Sequence, residues 1–401
     1  MASRSEFSLF PRATAGPLPT AGRGAAARLA SIDMLRGFVM VIMVLDHVRE
    51  TFFQHMQMSD PMDARMVMPA LFLTRLVSNI CAPVFVALTG LSAWLYGQKH
   101  SAGDTSIFLL KRGLFLLFLE LTLVGFAWSG KIPPDTIWLQ VIWILGLCMI
   151  CLAGLLHLPR AALVAVGAAI VCGHNLLDPI RLAPGDAFYI PWAMLHQRAA
   201  FDVAGITVKT TYPLLPWIGV ISLGYAVGPW FGGSVDAQVR RQRLIRLGLA
   251  LLAAFVVLRT LNLYGDAPWY VVPGSAVRTA MSYFALTKYP PSLLFLLPTL
   301  GLGAILLAQF ERMGSGRVSA WLSILGGAPM FFYLLHLYVL QIMYQIGVAI
   351  WGANHGRFFG VDSLGWIWAW YVVLLVALYF PTRWFSDLKK RRRDIGWLKY
   401  F

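Results

Sequence analysis

The sequence predicts an all-α protein that crosses a membrane about ten times. Hydrophobic residues make up 58% of its 401 residues and charged residues only 13%, whereas soluble proteins carry about 25% charged residues. Apolar segments of membrane-spanning length follow one another too closely to leave room for a soluble domain. The basic residues gather in short loops that alternate with acidic or neutral loops, which is the positive-inside pattern of a multi-pass protein.

Ten apolar segments are the predicted spans. Placing the basic loops in the cytoplasm puts both termini on that side of the cell (inner) membrane. The chain then divides into a disordered cytoplasmic tail (1–30), a transmembrane domain (31–383) and a basic cytoplasmic tail (384–401). The predicted spans are 33–53, 71–97, 108–129, 137–156, 160–176, 212–231, 244–264, 291–311, 320–351 and 363–382.

Two long loops, 177–211 and 265–290, are predicted to lie outside the cytoplasm. Pro, Gly and polar residues interrupt both loops too often for either to span a membrane. Loops of this size are commonly functional or disordered, and the Trp and Tyr residues in these two suit packing at a membrane interface. We expect ordered loops that roof a site, with an inert cap as the alternative.

The segment 31–55, SIDMLRGFVMVIMVLDHVRETFFQH, carries most of the candidate chemistry. Ionisable side chains are costly in a spanning helix and usually face a protein interior or a wet cavity. Arg36 and His47 differ by about 20° around a helix and by about 16 Å along it. A long anionic acyl donor could bind through its phosphates at Arg36 and present its acyl end to His47. Alternatively, Arg36 reaches the lipid headgroups and His47 is a structural hydrogen-bonding residue.

Further polar residues are candidates for a shared cavity. Glu120 and Arg259 lie within predicted spans, and we expect them to pair with each other or with His47 rather than to act as unpaired functional groups. His336 follows a Gly-Gly-Ala-Pro break at a depth close to that of His47, so a common cavity is possible. Lys288 and Tyr289 are the remaining cavity candidates.

Several motifs resemble a known family. They are the segment 31–55 and, in order along the chain, CAPVFVALTGLSAWL, TYPLLPWIGVISLGYAVG, TKYPPSLLFLLPTLGLG and GGAPMFFYLLHLY. Over about residues 31–380 the chain resembles the bacterial relatives of heparan-α-glucosaminide N-acetyltransferase. The resemblance implies a membrane acyltransferase that moves an acyl group from cytosolic acyl-CoA to a sugar or glycan on the extracytoplasmic side of the membrane. The expected acyl group is acetyl. The family is similar in plan to the integral-membrane sugar O-acyltransferases.

The resemblance leaves two candidate bases. His47 has the spacing of the sugar O-acyltransferases, whereas His55 lies near the place of the N-acetyltransferase histidine once a gap is allowed. An imidazole, with an ordinary pKa near 6.5, suits the deprotonation of an acceptor that attacks a thioester. Asp46 is a candidate to orient or stabilise the imidazole. Direct transfer and an acyl-histidine relay are both open.

Composition also bears on other function classes. The net charge of +15 does not indicate nucleic-acid binding, because it is spread over alternating loops. No metal is expected, since the CxxC at 148–151 lacks a second pair or a His partner at ligand spacing. The expected partners are the bilayer, acyl-CoA and the sugar or glycan acceptor, with a monomer and a homodimer both open. The alternative is a non-enzymatic transporter or lipid-binding membrane protein, which would leave its substrate unaltered.

Overall fold

A computed structural model describes residues 20–56, 62–392 and 394–400. Helices account for most of this part of the chain, which confirms the predicted helical character. In the amino-terminal half the helices are α1 Thr20–Phe52, α2 Pro69–Ser78, α3 Cys81–Gly97, α4 Ala102–Leu119, α5 Gly125–Ser129, α6 Val141–Leu155, α7 Arg160–Gly173 and α8 Tyr189–Leu195. In the carboxy-terminal half they are α9 Leu215–Val227, α10 Ala237–Leu261, α11 Ala276–Phe284, α12 Leu293–Met313, α13 Arg317–Gly327, α14 Pro329–Trp351 and α15 Leu364–Arg391.

Several helices are able to span a membrane. Within the described residues, six helical segments are long and apolar enough to do so. Large apolar side chains such as Trp366, Val376 and Phe380 are exposed on α15, as expected of a surface that faces lipid. The count of ten spans and the cytoplasmic placement of both termini remain predictions. The six segments are Pro69–Gly97, Arg160–Leu177, Ala237–Leu261, Leu293–Met313, Pro329–Trp351 and Leu364–Arg391.

The predicted span 320–351 is divided into two helices. The chain breaks at Ala328, whose φ of −133° and ψ of 56° are not helical. Pro329 then occupies the first turn of α14. A proline tolerates this position because the N–H it lacks has no partner there, and it disfavours a helical conformation at the preceding residue. The Gly-Gly-Ala-Pro motif therefore ends one helix and begins the next.

The ends of α1 and α15 differ from the predicted tail boundaries. Helix α1 begins at Thr20, so residues 20–30 are helical although the sequence predicts a disordered tail there. Residues 1–19 of that tail lie outside the described residues. Helix α15 continues to Arg391, well into the predicted basic tail 384–401.

A three-stranded sheet corrects the prediction that the protein is all-α. Strand β1 (Thr136–Leu139) replaces the start of the predicted span 137–156. It runs parallel to β3 (Ile206–Thr210), which pairs antiparallel with β2 (Ala199–Val203). The β2–β3 hairpin turns through Ala204 and Gly205, both at positive φ, which suits the twist of paired strands. With α8, this hairpin makes the loop 177–211 ordered.

Helix α1 lies at the centre of the bundle and contacts α2, α3, α12, α13, α14 and α15. Its approach to α13 is unusually close. A Cβ atom at Gly37 would overlap the carbonyl oxygen of Leu322, and one at Gly326 would overlap that of Asp33. Only glycine permits this backbone contact. The contact brings the neighbouring Arg36 against the end of α13.

Candidate active site

A cavity of about 300 Å³ lies inside the bundle, bounded mainly by α1, α3, α4, α6 and α14. One end is cationic, and the opposite end holds a histidine and a buried ion cluster. The volume is at the lower limit of ordinary ligand pockets, about 300–1,000 Å³. The cationic end is lined by Arg36, Arg112 and Lys389, and the opposite end by Asp46, His47, Tyr212 and Lys288.

The cationic end is assembled where α13 gives way to α14. Arg36 donates from Nη1 to the carbonyl oxygen of Gly326 at 3.1 Å and to Asp33 Oδ1 at 2.7 Å. Lys389 donates from Nζ to the carbonyl oxygen of Gly327 at 3.2 Å. The first turn of α14 also lines the cavity here, and helix amino termini favour anions. This end can therefore hold a negatively charged group.

Arg112 and Lys389 are not among the predicted site residues. Both lie in basic segments of the sequence, which the positive-inside pattern already explains. The sequence therefore provides no reason to expect them at the cavity. Arg112 lies in α4, and Lys389 lies in the last turn of α15. Their convergence with Arg36 depends on how three distant helices pack.

The opposite end contains a buried ion cluster centred on Asp46. Its carboxylate accepts from Arg49 Nη2 at 2.8 Å and forms an ion pair with Arg75. Lys288 Nζ lies 3.9 Å from Asp46 Oδ2. Glu50 Oε1 adds a second carboxylate, 3.4 Å from Arg49 Nη2. The structure thus places Asp46 against cations rather than in the ring-orienting position considered for it, and Arg75 is a member of the cluster that the sequence did not single out.

Tyr289, at the end of the loop 265–290, connects this cluster to Tyr212. Its hydroxyl accepts from Arg75 Nη2 at 3.4 Å and donates to the hydroxyl of Tyr212 at 3.3 Å. Of this pair, Tyr212 lines the cavity. Lys288 and Tyr289 precede α12, and Tyr212 directly follows the sheet. The loop 265–290 and the link from the sheet to α9 therefore supply part of the cavity end that holds His47.

His47 forms a hydrogen-bonded pair with His336. Nδ1 of His47 lies 2.6 Å from Nε2 of His336, and both rings are buried. His336 Nδ1 lies 3.0 Å from the carbonyl oxygen of Phe332, which can only accept, so this nitrogen carries a hydrogen. In neutral His336, Nε2 is then the acceptor and His47 Nδ1 is the donor. This order leaves the lone pair of His47 on Nε2.

Two aromatic rings flank His47. The Trp128 ring stands edge-on to it at a centroid distance of 5.4 Å, and the Tyr333 ring at 6.0 Å. Tyr333 lies in α14 three residues before His336, so the two share a helix face. This spacing was the available sequence signal for Tyr333, which lines the cavity.

His55 lies away from this site. Its ring stacks on His355 with a centroid distance of 3.7 Å, and it is not among the residues that line the cavity. His355 Nε2 lies 3.1 Å from Asp362 Oδ1. Burial and the neighbouring His355 ring hold the pKa of His55 below its ordinary value.

The expectation that Glu120 and Arg259 pair with each other or with His47 is wrong. Glu120 Oε1 accepts from the backbone N–H of Gln140 at 3.0 Å, at the junction of β1 and α6. Arg259 donates to four backbone carbonyl groups of the loop 265–290, at distances of 2.6–3.0 Å. Both side chains form hydrogen bonds with backbone groups, and neither side chain lines the cavity.

The fold and this site define a helical protein with several helices able to span a membrane, whose interior cavity joins a cationic end to a buried histidine. The chain belongs to the family described as heparan-alpha-glucosaminide N-acetyltransferase, catalytic, whose model matches residues 28–265. This match confirms the family that the motifs resemble. Membership implies that the protein is an acetyltransferase, and the family uses acetyl-CoA. Among curated proteins, no match was found.

Proposed function

We propose that the protein transfers an acyl group, acetyl in the first instance, from cytosolic acyl-CoA to a hydroxyl or amine of an extracytoplasmic sugar or glycan. The observation that carries this proposal is the cavity that joins Arg36 to His47. The two residues are about 16 Å apart along α1. A donor with phosphates at one end and a thioester at the other could place its phosphates at Arg36 and its thioester at His47.

In this proposal the cationic end binds the phosphates of the donor. Arg36 already has neutral and anionic partners that fix its guanidinium, so little side-chain entropy is lost when a phosphate binds. Met40 and Met43 lie on α1 between Arg36 and His47 and line the cavity. Their flexible thioether side chains suit contact with an extended chain that carries a sulfur atom.

His47 is the proposed general base. Its Nε2 takes the proton of the acceptor O–H or N–H while the acceptor atom bonds to the thioester carbonyl carbon. The tetrahedral intermediate then collapses, the C–S bond breaks, and the proton on Nε2 passes to the departing sulfur. His47 Nδ1 keeps its hydrogen bond to His336 throughout, so the imidazolium formed midway is oriented and stabilised. In an acyl-histidine relay, His47 Nε2 would instead act as the nucleophile: it bonds to the thioester carbonyl carbon, the C–S bond breaks and CoA leaves, and the acceptor then attacks the acyl-histidine and releases the imidazole.

The ion cluster beside His47 supports this chemistry electrostatically. Lys288 lines the cavity and lies within 3.9 Å of Asp46. A buried cation near the reacting carbonyl would stabilise the oxyanion that develops on it. Asp46 in turn offsets the charges of Lys288, Arg49 and Arg75. We therefore assign Asp46 to charge balance and Lys288 to the oxyanion.

Purified protein incubated with labelled acetyl-CoA and a panel of sugars tests the proposal. We expect label in the sugar and an equal amount of free CoA, with both products formed far more slowly by His47→Ala. A proteoliposome arm separates the enzyme from a transporter, because a transporter would move the sugar without altering it. Unaltered movement, or no transfer with any acyl donor, would overturn the proposal. Rapid acid quenching without acceptor distinguishes the relay, which leaves label on the protein, from direct transfer.

A further inference from the structure

A second polar cluster lies outside the cavity, where α7 ends and α8 ends. His174 begins a short 3₁₀ segment after α7, Asp178 follows that segment, and His196 follows α8. One possible ligand atom from each of the three residues lies within 4.8 Å of the other two. His196 Nε2 is 3.1 Å from Asp178 Oδ1. Two imidazoles and a carboxylate thus converge from separate segments of the chain.

The histidines of this cluster are buried without enough partners. His174 and His196 are each 2% exposed. Within the part of the chain that the structure describes, neither ring nitrogen of His174 has a hydrogen-bond partner, and neither does Nδ1 of His196. Buried polar atoms nearly always have a partner, so three unpartnered nitrogens at one place need an explanation.

We propose that His174, Asp178 and His196 bind a divalent transition-metal ion of the zinc type. Imidazole nitrogen and carboxylate oxygen are ordinary Zn²⁺ ligands, whereas Ca²⁺ and Mg²⁺ prefer sites built from oxygen alone. Three protein ligands leave a fourth position for water. The Asp178 side chain is 38% exposed, which gives an ion and that water a path to the site.

Asn175 supplies the outer support that such sites require. Its Nδ2 donates to Asp178 Oδ2 at 2.8 Å, and its Oδ1 accepts from the backbone N–H of Leu293 at 2.8 Å. Groups that orient a ligand in this way tune metal affinity. The ion would fasten the end of α7 to α8, and Asn175 carries that link to the start of α12. It would therefore stiffen the loops that supply Tyr212 and Lys288 to the cavity.

This inference revises the expectation that no metal is bound. That expectation rested on Cys148 and Cys151, which are free thiols on α6. His174 and Asp178 are four residues apart at a helix end, a spacing that brings two ligands together. The third ligand comes from another segment, and its approach depends on the folding of the loop 177–211.

The test uses the full-length protein, purified in detergent through a tag that does not chelate metals. After EDTA treatment and removal of the chelator, Zn²⁺ alone is titrated while bound zinc is counted by mass spectrometry and thermal unfolding is followed. We expect one Zn²⁺ per chain and a higher unfolding midpoint, because an ion that binds only the folded state stabilises it. Both readouts are independent of acyl transfer, so failure here leaves the proposed function untouched.

Variants locate the site. His174→Ala and His196→Ala should abolish Zn²⁺ binding and the shift in midpoint, whereas Asn175→Ala should weaken affinity about 10–100-fold. His100→Ala is the matched control, because His100 is an exposed histidine in the turn between α3 and α4. It should bind Zn²⁺ like the wild type.

Two outcomes would overturn the proposal. The first is wild-type protein that binds no Zn²⁺ and gains no stability from it, a result that no misfolded variant can obscure. The second is full binding by folded His174→Ala and His196→Ala, which would place the ion elsewhere.

Discussion

Two pairs of histidines in this protein have nearly parallel rings, yet their environments differ. In the pair of His47 and His336 the rings are inclined by 10° and joined by a hydrogen bond of 2.6 Å. In the pair of His55 and His355 the rings are inclined by 7° and stack face to face at 3.7 Å. Both rings of the first pair are buried and His47 lines the cavity, whereas His355 of the second pair lies beside the exposed Asp362.

The difference shows what makes a histidine useful as a base. A hydrogen bond to Nδ1 fixes the tautomer and leaves Nε2 free to take a proton, and only the His47 pair has this arrangement. A stacked contact involves the ring faces and fixes neither nitrogen. The sequence supports both His47 and His55 as candidate bases. The surroundings that the structure shows for each of them favour His47.

The largest expected effect is the loss of the proposed base. His47→Ala should lower kcat by about 10²–10⁴, the usual range for a general base, and leave donor binding nearly intact. His55→Ala should change kcat far less. Steady-state kinetics with labelled acetyl-CoA, on protein whose folding is checked by thermal unfolding, measures both. The comparison fails if His55→Ala abolishes transfer while His47→Ala merely destabilises the protein.

The next effect concerns His336 as a positioning residue. His336→Leu removes the acceptor for His47 Nδ1, so the ring can turn, and a misplaced catalytic group can cost about 10² in rate. His336→Gln offers an amide oxygen at a similar distance and should recover part of kcat. His355→Leu is the matched control in the other pair. Equal kcat for the Leu and Gln variants at position 336 would show that the hydrogen bond does not matter.

A variant at the far end of the cavity separates binding from proton transfer. Arg36→Ala should raise the KM for acyl-CoA about 10–100-fold, which corresponds to about 1.5–3 kcal/mol for a lost charged hydrogen bond, with a much smaller change in kcat. Arg36→Lys should recover only part, because an ammonium cannot form the two-pronged contact. Arg243→Ala, an exposed arginine on α10, is the control. A loss confined to kcat would remove Arg36 from the donor site.

The smallest effect sharpens the account of His55. Since burial and His355 hold its pKa below the ordinary value, the unfolded chain takes up this proton more readily than the folded protein. Stability should therefore fall as pH drops through the ordinary histidine range near 6.5. His55→Gln should flatten this part of the pH dependence of thermal unfolding. An identical profile in wild type and His55→Gln would assign the pH dependence to another group.

The part of the site that the sequence could predict is the placement of residues on one face of a single helix. Periodicity alone places Arg36 and His47 on one face, because the geometry of α1 relates them without any tertiary contact. His336 was a weaker inference, based on matched depth. Arg75 and Lys389 could not be inferred, since their approach to α1 depends on how separate helices pack. The sheet was missed for a similar reason, because β1 and β3 pair across segments about seventy residues apart and each strand is very short.

Arg259 has a consequence for how the sequence of the loop 265–290 can change. Its guanidinium contacts the loop 265–290 through carbonyl oxygens, at Ala267, Ser282, Tyr283 and Ala285. Every residue type supplies a carbonyl group, so this anchor is indifferent to the side chains that the loop carries. Substitutions of side chains in this loop can therefore accumulate while its attachment to α10 is kept. A single buried arginine thus lets the side chains of this loop vary while the path of its main chain is kept.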